Sequence, residues 1–312
     1  MKKTSRLREL FHRPEIFVLP GGGCALHAKL IEAAGFEAVY MSGSMTSAYV
    51  LGLPDAGMID ASEMIRNASY MANVVDIPLL SDADTGFGNA LNVRRTVQGF
   101  VQAGVAGIHL EDQLSPKRCG FVKGKQVIPL DEAVGKIQSA VEAKNELDKD
   151  FVIVARTDAK GAVGGSLEEA ISRAQAYENV GADVIYVEGP ETREDLTAIR
   201  NALTCPVFSA MYFLDPQPSI QELQDLGQSA AIYPRMAARA GYIASWDFLH
   251  DFADRGVLAE TELLETMNNH PLGGLKLFDT LGFSEIRRYE ERYLPEDTAS
   301  RYEKSRGLYE PR

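Results

Sequence analysis

Short apolar runs rich in β-branched residues alternate along the chain with longer stretches whose apolar residues recur every three to four positions. The runs fall at 16–19, 38–41, 77–80, 107–110, 151–155, 184–187, 206–209 and 230–233. Continuous apolar runs of this length, bounded by turn residues, are the pattern of strands covered on both faces. Between them, 26–34, 90–103, 130–147, 166–180 and 193–202 carry helical spacing, and Gly35, Gly104, Gly181 and Gly227 stand where a helix-ending cap is expected. A further helix over 4–13 places Leu7, Leu10 and Phe11 on one side. Strand–helix alternation implies parallel pairing through right-handed crossovers, and eight units favour a closed (β/α)8 TIM-type barrel over an open sheet.

After the eighth run, 236–256 reads as one long helix carrying Ile243, Trp246, Phe248, Leu249 and Phe252. Residues 260–312 read as further helices with a charged tail. The expected organisation is one barrel domain over 1–312, with a helical annex at 236–312. That annex exceeds what a barrel needs, and an apolar surplus of this kind suits an oligomer interface.

Composition narrows the class. The 312 residues carry a formal net charge of -12, which argues against a nucleic-acid-binding surface. Three scattered cysteines, Cys24, Cys119 and Cys205, make no disulfide framework. No run approaches the ~18 apolar residues of a membrane span. The basic N-terminus is not followed by an apolar signal segment. A cytoplasmic enzyme with a small-molecule substrate is the expectation.

In a barrel of this kind the carboxyl ends of the strands form the active face. The third run leads into Ser81-Asp82-Ala83-Asp84, followed by Gly86 and Gly88. Residues two apart on a strand point the same way. Asp82 and Asp84 therefore aim at one volume, suited to a hard divalent cation. An isolated Asp-x-Asp equally suits a solvated turn capping the next helix, and it is the other strand ends that weigh against this. The second run ends in Tyr40-Met-Ser-Gly-Ser44, two hydroxyls around a glycine, with Asp55 beyond. The fourth gives Glu111 and Asp112, the fifth Arg156 and the sixth Glu188. Arg156 could neutralise these carboxylates, or use its fork on a substrate carboxylate. His109, inside the fourth run, reads as a core histidine. Between the fourth run and its helix, 114–125 sets Lys117, Arg118, Lys123 and Lys125 around Cys119. The neighbouring cations are expected to lower the thiol pKa. The glycines and charge suggest a loop that closes over the mouth.

Together these segments resemble the isocitrate lyase and phosphoenolpyruvate mutase superfamily, over about residues 8–260. The Lys117-Arg-Cys-Gly120 loop resembles its carbon–carbon lyase branch, which includes 2-methylisocitrate lyase and 2,3-dimethylmalate lyase. The resemblance implies Mg2+, with Mn2+ as a substitute, at Asp82 and Asp84, with Asp55, Glu111 and Glu188 around it. It implies that Ser42, Gly43 and Ser44 hold the carboxylate of a 2-oxo acid, and that Arg156 binds a substrate carboxylate. Cys119 would protonate the carbanion, Lys117 would help close the loop beside Gly120, and Tyr40 would stand near the reacting hydroxyl. The implied reaction is cleavage of a 2-hydroxy di- or tricarboxylic acid to pyruvate or glyoxylate and a carboxylic acid. The implied assembly is a homotetramer in which the helix after strand 8 is swapped between subunits. Oxaloacetate hydrolysis or decarboxylation, a carboxyphosphonoenolpyruvate-type mutase and an inactive scaffold remain as alternatives. The chain departs from the branch at Phe121, where its relatives usually carry His, and at Ala210, where they usually carry Asn. Both departures point to an apolar leaving side.

Overall fold

The alternation of apolar runs and helices resolves into a barrel. The computed structural model describes residues 1–297, 306, 307 and 309; the end of the expected annex, at 298–305, 308 and 310–312, lies outside the described residues. Eight strands form where the runs lie. They are β1 (Phe17–Gly22), β2 (Val39–Met41), β3 (Leu79–Asp82), β4 (Gly107–Glu111), β5 (Val152–Thr157), β6 (Val184–Val187), β7 (Val207–Ser209) and β8 (Ala230–Tyr233). Every ladder is parallel, in the order β7-β6-β5-β4-β3-β2-β1-β8. The seam between β7 and β8 is crossed by the Ser229 N–H donating to the Val207 carbonyl at 2.8 Å.

Helices fill the crossovers: α1 (Lys3–His12), α2 (Ala25–Ala33), the short α3 (Gly43–Thr46), α4 (Ala61–Ala72), α5 (Ala90–Gln102), α6 (Leu130–Leu147), α7 (Leu167–Asn179), α8 (Arg193–Asn201) and α9 (Ile220–Asp225). The four glycines expected at helix ends all take positive φ. α4, which the apolar pattern did not single out, starts with a capping box between Asp60 and Glu63.

The period of two along each strand divides the core. Ile108, Leu110, Ile153, Ala155, Ile185 and Val187 face the helices. Tyr40, Leu80, Val152, Val154, Val184, Tyr186 and Phe208 fill the barrel interior. The inward series runs on to Ser42, Asp82, Glu111, Arg156 and Glu188, so the alternation that packs the barrel also lifts five polar side chains to its C-terminal mouth. The other end is closed by α1, whose Leu7, Leu10 and Phe11 join the interior cluster. Phe11 meets Phe17 edge-on at 5.0 Å and stacks on Phe208 at 5.9 Å between centroids.

The described residues form two compact units, Met1–Ala240 and Gly241–Arg312. The second begins within α10 (Met236–Arg255) and goes on through Val257–Met267, Leu277–Leu281 and Phe283–Tyr293. Within it, Ile243, Trp246 and Leu249 of α10 are half exposed or more. No helix among the described residues is long and apolar enough to cross a membrane.

Phe11→Ala removes a fully buried aromatic plug and should cost about 3–5 kcal/mol of stability. Denaturant titration checks this, and a loss under about 1 kcal/mol would show that α1 is not integral to the barrel.

Candidate active site

The loop after β3 is where the strand argument and the structure part. Asp82 is the last residue of β3, but Asp84 lies past it with φ +46°. Its N–H donates to its neighbour Asp82 Oδ1 at 2.9 Å. A tight turn, not strand alternation, brings the second carboxylate round; the short Asp side chain tolerates the left-handed conformation and supplies the turn's own hydrogen bond. The two carboxylates do converge. A Cβ built on Gly43 would come within 2.5 Å of Asp82 Oδ2 and 3.2 Å of Asp84 Oδ1. The absence of a side chain there lets β2 approach, and the Gly43 N–H donates to Asp82 Oδ2 at 3.1 Å.

Around this pair the charges are buried. The Lys117 ammonium lies 2.6 Å from Asp55 Oδ1 and 2.9 Å from Asp84 Oδ1. Arg156 sends Nε and Nη2 to Asp158 Oδ2 and Oδ1 at 2.8 and 2.9 Å. It also lies 3.4 Å from Glu111 Oε2 and 3.7 Å from Glu188 Oε2, and over the Tyr186 ring. Lys125 holds Asp158 Oδ1 at 3.0 Å and the Gly120 carbonyl at 2.9 Å. Tyr40 places its hydroxyl 2.5 Å from His109 Nε2 and 3.5 Å from Asp82 Oδ2; His109 Nε2 lies 3.3 Å from Asp82 Oδ1. Ser42 and Ser44 share a hydrogen bond at 3.0 Å.

Six carboxylates (Asp55, Asp82, Asp84, Glu111, Asp158, Glu188) thus face three permanent cations (Lys117, Lys125, Arg156), and no side chain among them is more than 9% exposed. Burial pushes the Glu111 carboxyl well up, and its Oε1 has no hydrogen-bond partner. Burial, with Asp82 and Asp55 nearby, pushes Asp84 up to about 6 against the pull of Lys117. For Asp82 burial acts upward too, but His109, Lys117 and Arg156 outweigh it and the carboxyl is held low. A buried negative surplus of this kind fits a divalent cation, which would keep these groups ionised. No three His, Cys, Asp or Glu among the described residues are placed to hold a metal by themselves. Mg2+ asks for less: one or two carboxylates, waters and substrate oxygens.

The segment 114–125 lies down on the mouth. The Cys119 N–H donates to the Asp55 carbonyl at 3.1 Å, and the Gln113 side chain bridges both the N–H and the carbonyl of Arg118 at 2.9 and 2.8 Å. Tyr40, Ser42, Asp82, Cys119, Arg156 and Glu188 line one cavity, with Lys117, Gly120, Phe121, Tyr186 and Pro234 closing it. The free space is about 30 Å3, room for a water or two. A Cβ on Gly120 would meet Glu188 Oε1 at 2.6 Å and Arg156 Nη2 at 2.8 Å, so a side chain there would displace the charged ends of both residues.

Cys119 corrects an expectation. Its thiol is pushed up to about 11, by burial first and Asp55 second; Lys117 and Arg156 pull the other way and lose. Lys117 and Lys125, expected as part of a basic loop around the thiol, are spent in buried ion pairs with Asp55, Asp84 and Asp158. The group is a thiol at neutral pH, able to give a proton. Arg156 is likewise less free than its sequence position suggests, because Asp158 occupies its fork. Asp158 went unread although it stands two residues from Arg156, the spacing that flagged Asp82 and Asp84. His109 touches both Tyr40 and Asp82 and so belongs to the site, while Asp112 faces outward to Thr157, Arg173 and Tyr177. Ala210 sits in the interior cluster with Tyr186 and Phe208 and is not among the cavity-lining residues. The neighbour that meets Phe121 is Tyr212, edge-on at 5.2 Å.

Comparison with known proteins agrees with this geometry. The family described as phosphoenolpyruvate phosphomutase matches residues 7–250. The chain is 36% identical to 2,3-dimethylmalate lyase of Eubacterium barkeri over 299 residues, 94% of this chain and 99% of the relative. Among solved structures, oxaloacetate acetylhydrolase with 3,3-difluorooxalacetate superposes at a TM-score of 0.85, with 33% identity, over 93% of this chain and 97% of that one. Phosphonopyruvate hydrolase with oxalate and Mg++ gives 0.83 and 30%, over 95% and 100%.

Alkylation by iodoacetamide reads the thiolate fraction. The Cys119 rate should climb about tenfold per pH unit up to about pH 10, with no plateau between 8 and 9. A plateau near pH 8.5 or below would refute the raised thiol.

Proposed function

The chain belongs to the phosphoenolpyruvate mutase/isocitrate lyase superfamily, as an enzyme of its carbon–carbon lyase branch, and from that premise we propose that it cleaves a 2-hydroxy dicarboxylic acid of the alkylmalate kind. The products are a 2-oxo acid and a carboxylic acid. The observation that carries this is the placement of the Cys119 side chain, which lines one cavity with Asp82, Arg156 and Glu188, and burial raises its thiol so that it keeps its proton. A thiol held protonated at the mouth is placed to give a proton to a carbanion.

The residues divide the work. Ser42 and Ser44, on either side of Gly43, hold the carboxylate of the 2-oxo-acid half. Tyr40, kept protonated by burial and by Asp82, hydrogen-bonds the reacting hydroxyl; as C2–C3 breaks it takes that proton and passes its own to His109 Nε2, 2.5 Å behind it. Arg156, oriented by Asp158, sets positive charge toward the enediolate as C2–C3 breaks. Cys119 gives its proton to the carbon of the leaving fragment, and the seated loop keeps water out while that carbanion lives. Mg2+, or Mn2+ in its place, held at Asp82 and Asp84 with Asp55 and Glu111 around it, supplies Lewis-acid stabilisation of the 2-oxo-acid oxygens when bound. Hydrolysis of oxaloacetate is the second reading, favoured by the close superposition on oxaloacetate acetylhydrolase.

The apolar face of α10 around Trp246 and Leu249 supports a further reading, that the annex over 236–312 joins subunits into a homotetramer.

Product analysis on a substrate panel separates these readings. Wild-type enzyme should turn over 2,3-dimethylmalate with a higher kcat/KM than 2-methylisocitrate or oxaloacetate and should lose activity on metal removal. Cys119→Ser should lose about 10²-fold or more in kcat. Oxaloacetate as the best substrate, or a Ser variant at full rate, would defeat the lyase reading. Sedimentation should show a tetramer at micromolar concentration; a stable monomer would dismiss the interface.

A further inference from the structure

Among the described residues, the partly buried Arg235 at the mouth has no ion-pair partner. Arg235 follows Pro234, which lines the cavity, at the end of β8. Its guanidinium lies over the Phe121 ring at 4.5 Å and near the Tyr212 ring at 6.0 Å. Phe121 meets Tyr212 edge-on and Phe213 at 6.0 Å, so three aromatic rings from two loops make a shelf. Arg235 Nε is shut off from solvent and makes no hydrogen bond. A buried N–H left unpaired is unfavourable, and although the chain carries 44 acidic residues against 32 basic ones, no acid among the described residues pairs with this arginine. Lys117, Lys125 and Arg156 are paired, and Arg239, which also acts on Tyr212, is exposed to solvent, whereas Arg235 is partly buried. Stacking on aromatic faces fixes a guanidinium while leaving its in-plane donors open, the arrangement that suits two-point capture of a carboxylate.

We propose that Arg235, held on the Phe121–Tyr212 shelf, is the specificity-determining residue that receives the carboxylate of the leaving fragment. This rests on the lyase reading above and gives its leaving side a chemical class. A fragment with one carboxylate for the fork and an alkyl group against the rings is matched at both points. A fragment with a second carboxylate must lay that charge on the aromatic shelf, where nothing pairs it and burial is unfavourable. Phe121 is then a positioning residue that acts through Arg235.

The test measures binding by calorimetry with Mg2+ present, in a Cys119→Ser background whose turnover is slowed about 10²-fold or more. Oxalate probes the 2-oxo-acid half alone, and 2,3-dimethylmalate probes both halves. Adding Arg235→Gln should leave oxalate affinity within about twofold and weaken 2,3-dimethylmalate by about tenfold or more. In the Cys119 enzyme the same change should raise KM more than it lowers kcat. Phe121→Leu should weaken 2,3-dimethylmalate in the same direction, and the double variant should be no worse than Arg235→Gln alone, as for residues acting as one unit. Arg235→Lys keeps the charge and the fold but not the fork; it should fall between, and it decides the matter if the Gln variant does not fold. Equal 2,3-dimethylmalate affinity with and without Arg235, while oxalate still binds, would overturn the inference and spare the lyase reading. Loss of both ligands together in the folded Lys variant would also overturn it, by showing a structural role. Failure of the Cys119→Ser parent to bind oxalate at all would bring down the lyase reading, and this inference with it.

Discussion

Everything at the mouth of this barrel depends on an excess of buried negative charge. Six carboxylates and three permanent cations are packed where solvent scarcely reaches. Charges cannot be buried unpaired without large cost, so each cation is committed: Lys117 to Asp55 and Asp84, Lys125 to Asp158, Arg156 to Asp158 with Glu111 and Glu188 beside it. The barrel makes this tolerable by presenting the groups from separate strand ends, each backed by a rigid ladder. What the cations leave uncompensated is a demand for further positive charge at Asp84 and Glu111, which a divalent cation of the kind proposed above would meet.

The loop over 114–125 is part of the same balance. Lys117 and Lys125 flank Cys119 in sequence, and both reach inward past it to carboxylates of the barrel. They seat the loop electrostatically, and in doing so they stop acting on the thiol. Burial then governs Cys119 and keeps its proton on. A thiol that its sequence neighbours would ionise is kept protonated by its surroundings in the fold.

The barrel was legible because packing and pattern share one cause: strands covered on both faces must be apolar throughout, and all eight runs became strands. The inward series from Tyr40 to Glu188 was legible for the same reason. What escaped were features decided by backbone turns and by pairing across the mouth. Asp84 reaches the site through a left-handed residue that no periodicity encodes. The fork of Arg156 was assigned to substrate because Asp158, buried and held at about 2 by Arg156 and Lys125 against the upward push of burial, reads in sequence as one more loop acid. Arg235 is not legible in sequence, since the rings it lies over, Phe121 and Tyr212, are more than 100 and more than 20 residues away along the chain. Ala210 was placed at the rim by analogy, while the strand's alternation carries it into the interior.

Gly120 has a consequence on a longer timescale. With the ends of Glu188 and Arg156 standing where its Cβ would be, any other residue there must displace two charged groups of the site. Divergence within this loop is therefore channelled one residue along, to position 121, where the side chain is partly exposed and meets only the rim. A lineage built on this barrel can change what it accepts by exchanging one ring for another group there, without disturbing the charges that seat the loop or the thiol beside it.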